Sequence, residues 1–255
     1  GTSRSGKLVT DEEASAPALE PISGKRQSGE SAYRWIERRW VPFAIIAFVA
    51  IAIGTILEIV PGLMIKSNIP SIESVKPYTP LELEGRDIYI REGCYTCHSQ
   101  QVRPFRTETE RYGEYSKAGE FVYDHPYQWG SRRMGPDLAR TGIIGGKMYK
   151  SNAWHFNHFQ KPQNVNPTSV MPAYPWLISD QIDLDMIPNK IRAMQTLGVP
   201  YAEGYDQLAV DDLMKQAEVI AADLKANNIT VEADREIIAM IAYMQRLGVD
   251  ISKKQ

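Results

Sequence analysis

The chain has 255 residues, a formal net charge of −2, and only two cysteines and four histidines. Two cysteines exclude a disulfide-dense scaffold and a four-cysteine zinc or iron–sulfur site. A net charge near zero argues against nucleic acid as a partner, because the sequence provides no broad basic face.

The composition changes along the chain and predicts four regions. Residues 1–32, rich in Ser, Gly, Glu and Lys, predict a disordered head or linker, because they cannot bury enough apolar surface to offset the entropy of ordering. Residues 33–66 predict a transmembrane helix with its flanks. Residues 67–80 contain three prolines and predict an extended linker, which leaves residues 81–255 as a separate domain.

The membrane span is predicted from residues 41–65, which contain one charged residue, Glu58. At 1.5 Å per residue this segment reaches about 37 Å, which exceeds a hydrocarbon core of about 30 Å. Three arginines precede the span, and only Lys66 follows it closely. The positive-inside rule therefore predicts a cytoplasmic N-terminus and a domain outside the cytoplasm, in a bacterial periplasm.

The domain shows recurrent helical periodicity and no convincing run of alternating strand residues, which predicts a mainly α fold. The loops between the periodic segments are rich in Gly, Pro and Asn. The predicted helices span about residues 81–97, 108–118, 153–160, 179–197, 206–226 and 231–247.

Both cysteines lie in one pentapeptide, Cys94-Tyr95-Thr96-Cys97-His98. C-x-x-C-H is the attachment sequence of c-type haem, in which each thiol adds to a haem vinyl group and the adjacent imidazole reaches the iron. A thioredoxin-like motif would follow a strand, and here a helix leads in; a zinc site would need a further ligand that no cysteine can provide. We therefore expect one covalently bound haem c on Cys94 and Cys97, with His98 as an iron ligand.

Met171 is the candidate for the second axial ligand of the iron. It lies in PQNVNPTSVMPAYP, where prolines and asparagines exclude a helical face that a methionine would fill. His/Met ligation closes the coordination sphere and favours electron transfer. A metal-bound histidine also needs an acceptor on its other nitrogen, and we expect the carbonyl of Pro136, in Gly135-Pro136-Asp137-Leu138, to orient His98.

The remaining candidates are less specific. His155 and His158 are spaced i, i+3, which allows a metal site but favours a structural pair. His125 is expected to be a hydrogen-bonding loop residue. One or two of the arginines around the motif are expected to hold haem carboxylates, because arginine binds carboxylates bidentately. These arginines are Arg91, Arg103, Arg106, Arg111, Arg132 and Arg133.

Four segments resemble, in order, the landmarks of a class I cytochrome c: GRDIYIREGCYTCHSQ, MGPDLARTG, VMPAYPWL and DREIIAMIAYMQRLG. That family implies crossed N- and C-terminal helices, with Gly85 and Tyr89 against the face that carries Tyr243. The long stretches between the landmarks are similar to the monohaem subunit of the cbb3-type haem–copper oxidases, over residues 32–248. The expected fold is mainly α: a single N-terminal transmembrane helix and a class I cytochrome c-like helical domain with insertions.

The resemblance implies an electron-transfer subunit of a terminal oxidase in the bacterial inner membrane. Such a subunit takes electrons from a dihaem cytochrome c subunit, itself supplied by a soluble cytochrome c, and passes them to the haem b of a haem–copper catalytic subunit. Oxygen is reduced to water, and protons are pumped, in that other subunit. A calcium ion at the subunit interface, with Ser99 as a contributor, is also implied.

Three alternatives remain open at this point: the cytochrome c subunit of a nitric oxide reductase, a haem-based sensor or peroxidase, and an assembly or scaffold subunit with an incidental haem. The polar head is also longer than the resemblance leads us to expect. A fusion in which this chain continues from the C-terminus of the catalytic subunit would explain that head.

Overall fold

The computed structural model describes residues 31–37, 39–65 and 70–252. The chain divides into two compact units, one up to Asn68 and one from Ile69 onwards. Residues 1–30 of the predicted head lie outside the described ranges. Within those ranges the chain is helical, and its only bridge of strand type is an isolated pair between Gln181 and Arg235. The predicted mainly α fold is confirmed.

The first unit contains helices α1 (Ala32–Glu37) and α2 (Trp40–Met64). Residues Trp40–Gly62 of α2 have a mean hydropathy of 2.6, and none of this stretch is buried within the protein. A helix of this length and composition can cross a membrane, and α2 is the one such helix in the described part of the chain. The span predicted from the sequence over residues 41–65 agrees with the position of α2.

The second unit holds the other described helices. Its α-helices are α3 (Pro80–Arg91), α4 (Arg106–Tyr112), α5 (Asn152–Gln160), α6 (Trp176–Ser179), α7 (Ile187–Thr196), α8 (Tyr205–Ala226), α9 (Glu236–Arg246) and α10 (Val249–Ser252). Short 3₁₀ turns lie at Cys94–Thr96, Ala118–Phe121, Pro162–Asn164 and Leu184–Met186.

Four predicted helix boundaries differ from the structure. The helix predicted over residues 81–97 ends at Arg91, and Cys94–Thr96 form a separate 3₁₀ turn. Helix α4 ends at Tyr112 rather than near residue 118, because Gly113 adopts a φ of 114° that a helix cannot continue. Residues 179–186 and 231–235 were predicted as helix, and most of them form connections instead. There the amide of Ile182 donates to the carbonyl of Asp234 (2.8 Å), so the two segments pair with each other.

Helix α3 has a well-defined start. The Thr79 hydroxyl accepts from the amide of Glu82 (3.3 Å), and the Glu82 carboxylate accepts from the amide of Thr79 (2.8 Å). This reciprocal capping box, with Pro80 at the first helical position, satisfies backbone donors that the helix leaves unpaired. It fixes the start of the helix that leads into the cysteine motif.

Helices α3 and α9 cross closely and form the centre of the core. Gly85 permits the contact, because a Cβ there would lie 2.6 Å from the carbonyl carbon of Ala239 and 2.8 Å from the Cβ of Tyr243. The rings of Tyr89 and Tyr243 pack at 5.4 Å between centroids, and the Tyr243 hydroxyl donates to Gln100 (3.0 Å). Gly85 and Tyr89 thus meet the face that carries Tyr243, as the resemblance to class I cytochromes implied.

Residues 70–80, from the segment predicted as a linker, belong to the second unit and pack against it. The amide of Lys76 donates to Asp250 (2.8 Å), and its carbonyl accepts from Arg246 (2.8 Å). The hydroxyl of Tyr201 donates to the carbonyl of Tyr78 (2.6 Å). These bonds tie the segment before α3 to the C-terminal helices.

The long connection between the cysteine motif and residue 134 is held by buried ion pairs. Arg86 of α3 donates to Asp124 (2.6 Å), and each of these side chains is only 2% exposed. Arg140 donates to both carboxylate oxygens of Glu120, at 2.8 and 3.0 Å. Because an unpaired buried charge is costly, the first pair fixes this connection against α3 and the second fixes it against the loop that contains Arg140.

Candidate haem-binding site

The cysteine motif forms a single tight turn directly after α3. Gly93 adopts a φ of 69°, in the left-handed region, and turns the chain out of the helix. The amides of Cys97 and His98 both donate to the carbonyl of Cys94, at 3.1 and 3.0 Å. One turn therefore carries both thiols and the imidazole, which is the local arrangement that covalent haem attachment needs.

The two thiols lie in different surroundings. Cys94 is buried in the main apolar core, and burial, assisted by the charge of Glu92, raises the pKa of its thiol to about 12. Cys97 is half-buried, with its Sγ 4.0 Å from the Sδ of Met134. Both thiols are free, so both are available for thioether bonds.

The loop that begins at Gly135 contacts both the His98 ring and the backbone of the preceding residue, Cys97. The ring Nδ1 lies 2.8 Å from the carbonyl oxygen of Pro136, to which a protonated Nδ1 donates. The loop is in turn fixed by the amide of Gly135, which donates to the carbonyl of Cys97 (3.1 Å). Burial lowers the pKa of His98. The neutral imidazole then presents the lone pair of Nε2, the form in which histidine binds a metal.

Gly135 provides the space for this imidazole. A Cβ at this position would lie 2.7 Å from each of the two ring nitrogens of His98. Carbon and nitrogen atoms do not approach so closely without repulsion, so the ring rests on a backbone that carries no side chain. Sequence reasoning singled out Pro136 and missed Gly135, although the Gly-Pro dipeptide marks a tight loop.

Asp137 connects this loop to the chain that follows the histidine. Its carboxylate is fully buried and accepts from the Ser99 hydroxyl (2.6 Å), the Gln101 amide (2.9 Å) and the Ala139 amide (2.9 Å). Arg133 donates to the Ser99 hydroxyl (2.6 Å) as well. The Pro136 carbonyl is therefore set in place by a network on the residue next to it.

The Ser99 contacts bear on the implied calcium ion. The hydroxyl is already engaged between the carboxylate of Asp137 and the guanidinium of Arg133. Within the described ranges, no group of three or more His, Cys, Asp or Glu side chains is arranged to hold a metal ion. The described ranges therefore add no support for the implied calcium site.

Met171 lies in an irregular segment that is stiffened by side chains. The Gln163 amide group donates to the carbonyls of Ser169 (2.9 Å) and Met171 (3.2 Å), and the Ser169 hydroxyl accepts from the Met171 amide (3.3 Å). The methionine is half-buried and packs against the main core cluster that includes Cys94. It is thus a fixed residue of the same core and not a mobile loop side chain.

Tyr174, three residues after Met171, is a neighbour of the motif that sequence reasoning missed. Burial raises the pKa of its hydroxyl to about 12, and the nearby Cys94 and Cys97 thiols act in the same direction. The ring also meets Phe159 of α5 edge-on, at 6.5 Å between centroids. The sequence VMPAYPWL contains a signal for this residue, since an aromatic side chain close to a candidate iron ligand can pack on a planar cofactor.

The arginines around the motif differ in their pairing. Arg91 pairs with Glu236 and Glu92, Arg106 with Glu110, and Arg133 with Glu108 and Asp137. Arg111 lies over the ring of Tyr112, and the side chains of Arg103 and Arg132 are exposed. Three of the six candidate arginines, Arg91, Arg106 and Arg133, therefore already have carboxylates of this chain as partners.

The crossed helices, the cysteine turn and the supported histidine define a class of protein, the small helical domains of c-type cytochromes. A search of family models narrows this class. The model described as cytochrome C oxidase, mono-heme subunit/FixO matches residues 33–251, and the chain belongs to that family. No curated protein matches the chain. The resemblance to the monohaem subunit of cbb3-type oxidases is confirmed.

The family implies one haem c, and the site residues fit that group. Two free thiols and a histidine share one turn, the histidine Nε2 has no hydrogen bond within the described structure, and Gly135 leaves room beside the ring. Cys94 and Cys97 would hold the porphyrin covalently, and His98 and Met171 would bind its iron.

Proposed function

We propose that this chain is the membrane-anchored electron relay of a cbb3-type cytochrome c oxidase. In this proposal it receives electrons from a dihaem cytochrome c subunit, which a soluble cytochrome c supplies, and passes them to the haem b of the haem–copper catalytic subunit. The observation that supports it most directly is the turn with Cys94, Cys97 and His98, held against Pro136, within a member of the mono-haem oxidase subunit family.

When bound, haem c supplies reversible one-electron redox chemistry between ferric and ferrous iron. The residues of this chain determine its setting. The two cysteines fix the position of the porphyrin relative to α3, and Pro136 orients the His98 ring through the 2.8 Å contact at Nδ1. Gln163 and Ser169 fix the backbone of Met171. A rigid ligand pair keeps the two redox states similar in structure, which favours fast transfer.

The proposed location follows from α2 and its flanks. The span Trp40–Gly62 would anchor the chain in the bacterial inner membrane by a single pass. The arginines before the span favour a cytoplasmic N-terminus, which would place the cysteine motif in the periplasm, where c-type haem is attached. The oxygen-reducing haem–copper centre would belong to the catalytic subunit.

The test is spectroscopic and functional. The oxidised wild-type chain should show a methionine-to-iron charge-transfer band, which Met171→Ala abolishes while the haem stays covalently attached. Membranes should yield the chain together with a twelve-span haem–copper subunit and with cytochrome c oxidase activity. In His98→Ala, oxygen consumption should fall while the complex still assembles. An oxidised wild type without the band would favour a haem-based sensor, and co-purification with nitric oxide reductase activity would favour the other host enzyme.

A further inference from the structure

Helix α2 carries a single acidic residue in an otherwise apolar stretch. Glu58 is the one charged residue among Trp40–Gly62, and that range contains no Lys, Arg or His. The Glu58 side chain is exposed, and it forms no hydrogen bond or ion pair within the described residues. A carboxylate in hydrocarbon is costly, so acidic residues in membrane spans almost always face a protein partner or a water-filled cavity.

The geometry of α2 directs this carboxylate away from the nearer membrane surface. Glu58 lies seven residues before Ile65, where the apolar run ends, which is about 10 Å along the helix. Side chains of an α-helix lean towards its N-terminus, and Glu58 is near the C-terminal end of α2. The carboxylate therefore leans towards the centre of the bilayer, and contact with the lipid headgroups would require it to turn against this direction.

A second acceptor without a helical donor lies beside Glu58. Pro61 is inside α2, and proline has no amide hydrogen. The carbonyl of Leu57, four residues earlier, therefore loses the donor that an α-helix normally provides. Backbone groups in the hydrocarbon region must be paired, and a neighbouring helix commonly supplies the partner where a proline has freed a carbonyl. Two adjacent residues thus each present an acceptor on the same turn of the span.

The face of α2 that carries Glu58 is narrow, and the opposite face is bulky. At about 100° per residue, five residues between positions 44 and 62 lie within about 40° of Glu58 around the helix axis. They are Ala44, Ala47, Ile51, Gly54 and Gly62. The five within about 40° of the opposite direction are all isoleucine or valine: Ile45, Val49, Ile53, Ile56 and Val60.

The narrow face leaves room for another helix. A methyl group at Gly54 or Gly62 would meet no atom of this chain within 4 Å. Small residues in a membrane span allow the backbone of a second helix to approach closely, and hydrogen bonds between the two helices then add to the packing. The acceptors at Leu57 and Glu58 therefore lie where a second helix can supply a donor.

We propose that this face of α2 packs against a transmembrane helix of the haem–copper catalytic subunit. A basic side chain of that helix donates to both the Glu58 carboxylate and the Leu57 carbonyl. The inference rests on the proposed function, which provides the membrane and the partner. A basic side chain has several N–H donors and can bridge two neighbouring acceptors. A second copy of this chain is excluded as the occupant by charge, because a symmetric contact would place one Glu58 carboxylate against the other.

The test uses the oxidase complex, purified in detergent through a tag on this chain. Glu58→Gln keeps a neutral acceptor, and Glu58→Leu removes the acceptor altogether. The matched control is a double variant, Ile56→Glu with Glu58→Leu. It keeps one carboxylate in the span at nearly the same depth and moves it to the opposite face. The measurement is the rate at which the haem b of the catalytic subunit is lost from the tagged chain, and covalent haem per chain reports insertion and folding.

Glu58→Leu should lose the catalytic subunit about three- to thirtyfold faster than the wild type, which is the range for one hydrogen-bonded contact between membrane helices. The double variant should lose it as fast as Glu58→Leu, because its carboxylate no longer faces the donor. Glu58→Gln should lie between Glu58→Leu and the wild type. Covalent haem per chain should be equal in all of them.

Three results would overturn the inference. Wild-type dissociation in Glu58→Leu would show that this residue is outside the contact. Wild-type dissociation in the double variant would show that the carboxylate acts at the membrane surface, whichever face carries it. A second, differently tagged copy that co-purifies with the wild type and is lost in Glu58→Leu would make the partner another copy of this chain. Failure of the proposed function would be visible separately, as a wild-type chain that co-purifies without haem b or without cytochrome c oxidase activity.

Discussion

The substitution Gly135→Ala tests whether the space beside His98 determines the orientation of this proposed iron ligand. The added methyl carbon would lie 2.7 Å from both ring nitrogens, against an ordinary contact of about 3.5 Å or more. The imidazole must therefore withdraw by about 1 Å or push the loop away. Either movement breaks the 2.8 Å contact between the ring Nδ1 and the carbonyl of Pro136.

The size of the effect follows from two terms. The lost hydrogen bond contributes about 1 kcal/mol, and forcing a carbon into a filled space costs about 1–3 kcal/mol. The free energy of unfolding of the domain should therefore fall by about 2–4 kcal/mol. For a domain of this size each kcal/mol lowers the melting temperature by about 2–4 °C, so we expect a decrease of about 5–15 °C.

Two measurements on the purified full chain separate the site from general damage. Haem content should stay normal, because the cysteines hold the porphyrin, while the iron spectrum should show a weakened or displaced histidine bond. Gly54→Ala is the matched control, since a methyl there meets no atom within 4 Å. A Gly135→Ala protein with the wild-type spectrum and melting temperature would refute the role of this glycine.

Two further predictions concern the support of the site. Gly85→Ala should lower the free energy of unfolding, measured by urea titration, by about 1–3 kcal/mol, because α3 could no longer approach Ala239. This loss should exceed the gain from the better helix propensity of alanine. An unchanged urea midpoint would contradict the close crossing. Gln163→Leu removes the amide that holds the carbonyls of Ser169 and Met171. If Met171 is the proposed iron ligand, added cyanide should displace it several-fold faster in this variant than in the control, the exposed Gln101→Leu. Equal rates would show that Gln163 does not support Met171.

The features that could be predicted from the sequence are those with local causes. The cysteine turn is encoded within five residues, and helix α2 is encoded by an uninterrupted apolar composition. For the cysteine turn and α2, a short window of sequence contains the physical reason. The crossing at Gly85 was expected from the resemblance to class I cytochromes, because no local pattern pairs this residue with Tyr243.

The features that could not be predicted depend on contacts between distant segments. Arg86 and Asp124 resemble ordinary surface charges in the sequence, yet they form a pair that is almost completely buried. One or two of the arginines near the cysteines were expected to hold haem carboxylates. The sequence around Arg91 does not reveal that its partner is Glu236, 145 residues further along the chain. Pairing of charges is a property of the tertiary fold, and no local pattern indicates it.

The support of His98 shows how the long connection after the motif acts on the site. The imidazole is oriented by the carbonyl of Pro136, and the position of that carbonyl depends on the buried carboxylate of Asp137. That carboxylate is held by Ser99, which accepts from Arg133, and Arg133 pairs with Glu108 of α4. Residues 99–134 therefore support the loop that begins at Gly135, because each of these contacts fixes the position of the next residue in the series. Without this connection the Asp137 carboxylate would lose its contacts with Ser99, the Gln101 amide and Arg133, and a fully buried charge is not tolerated unpaired.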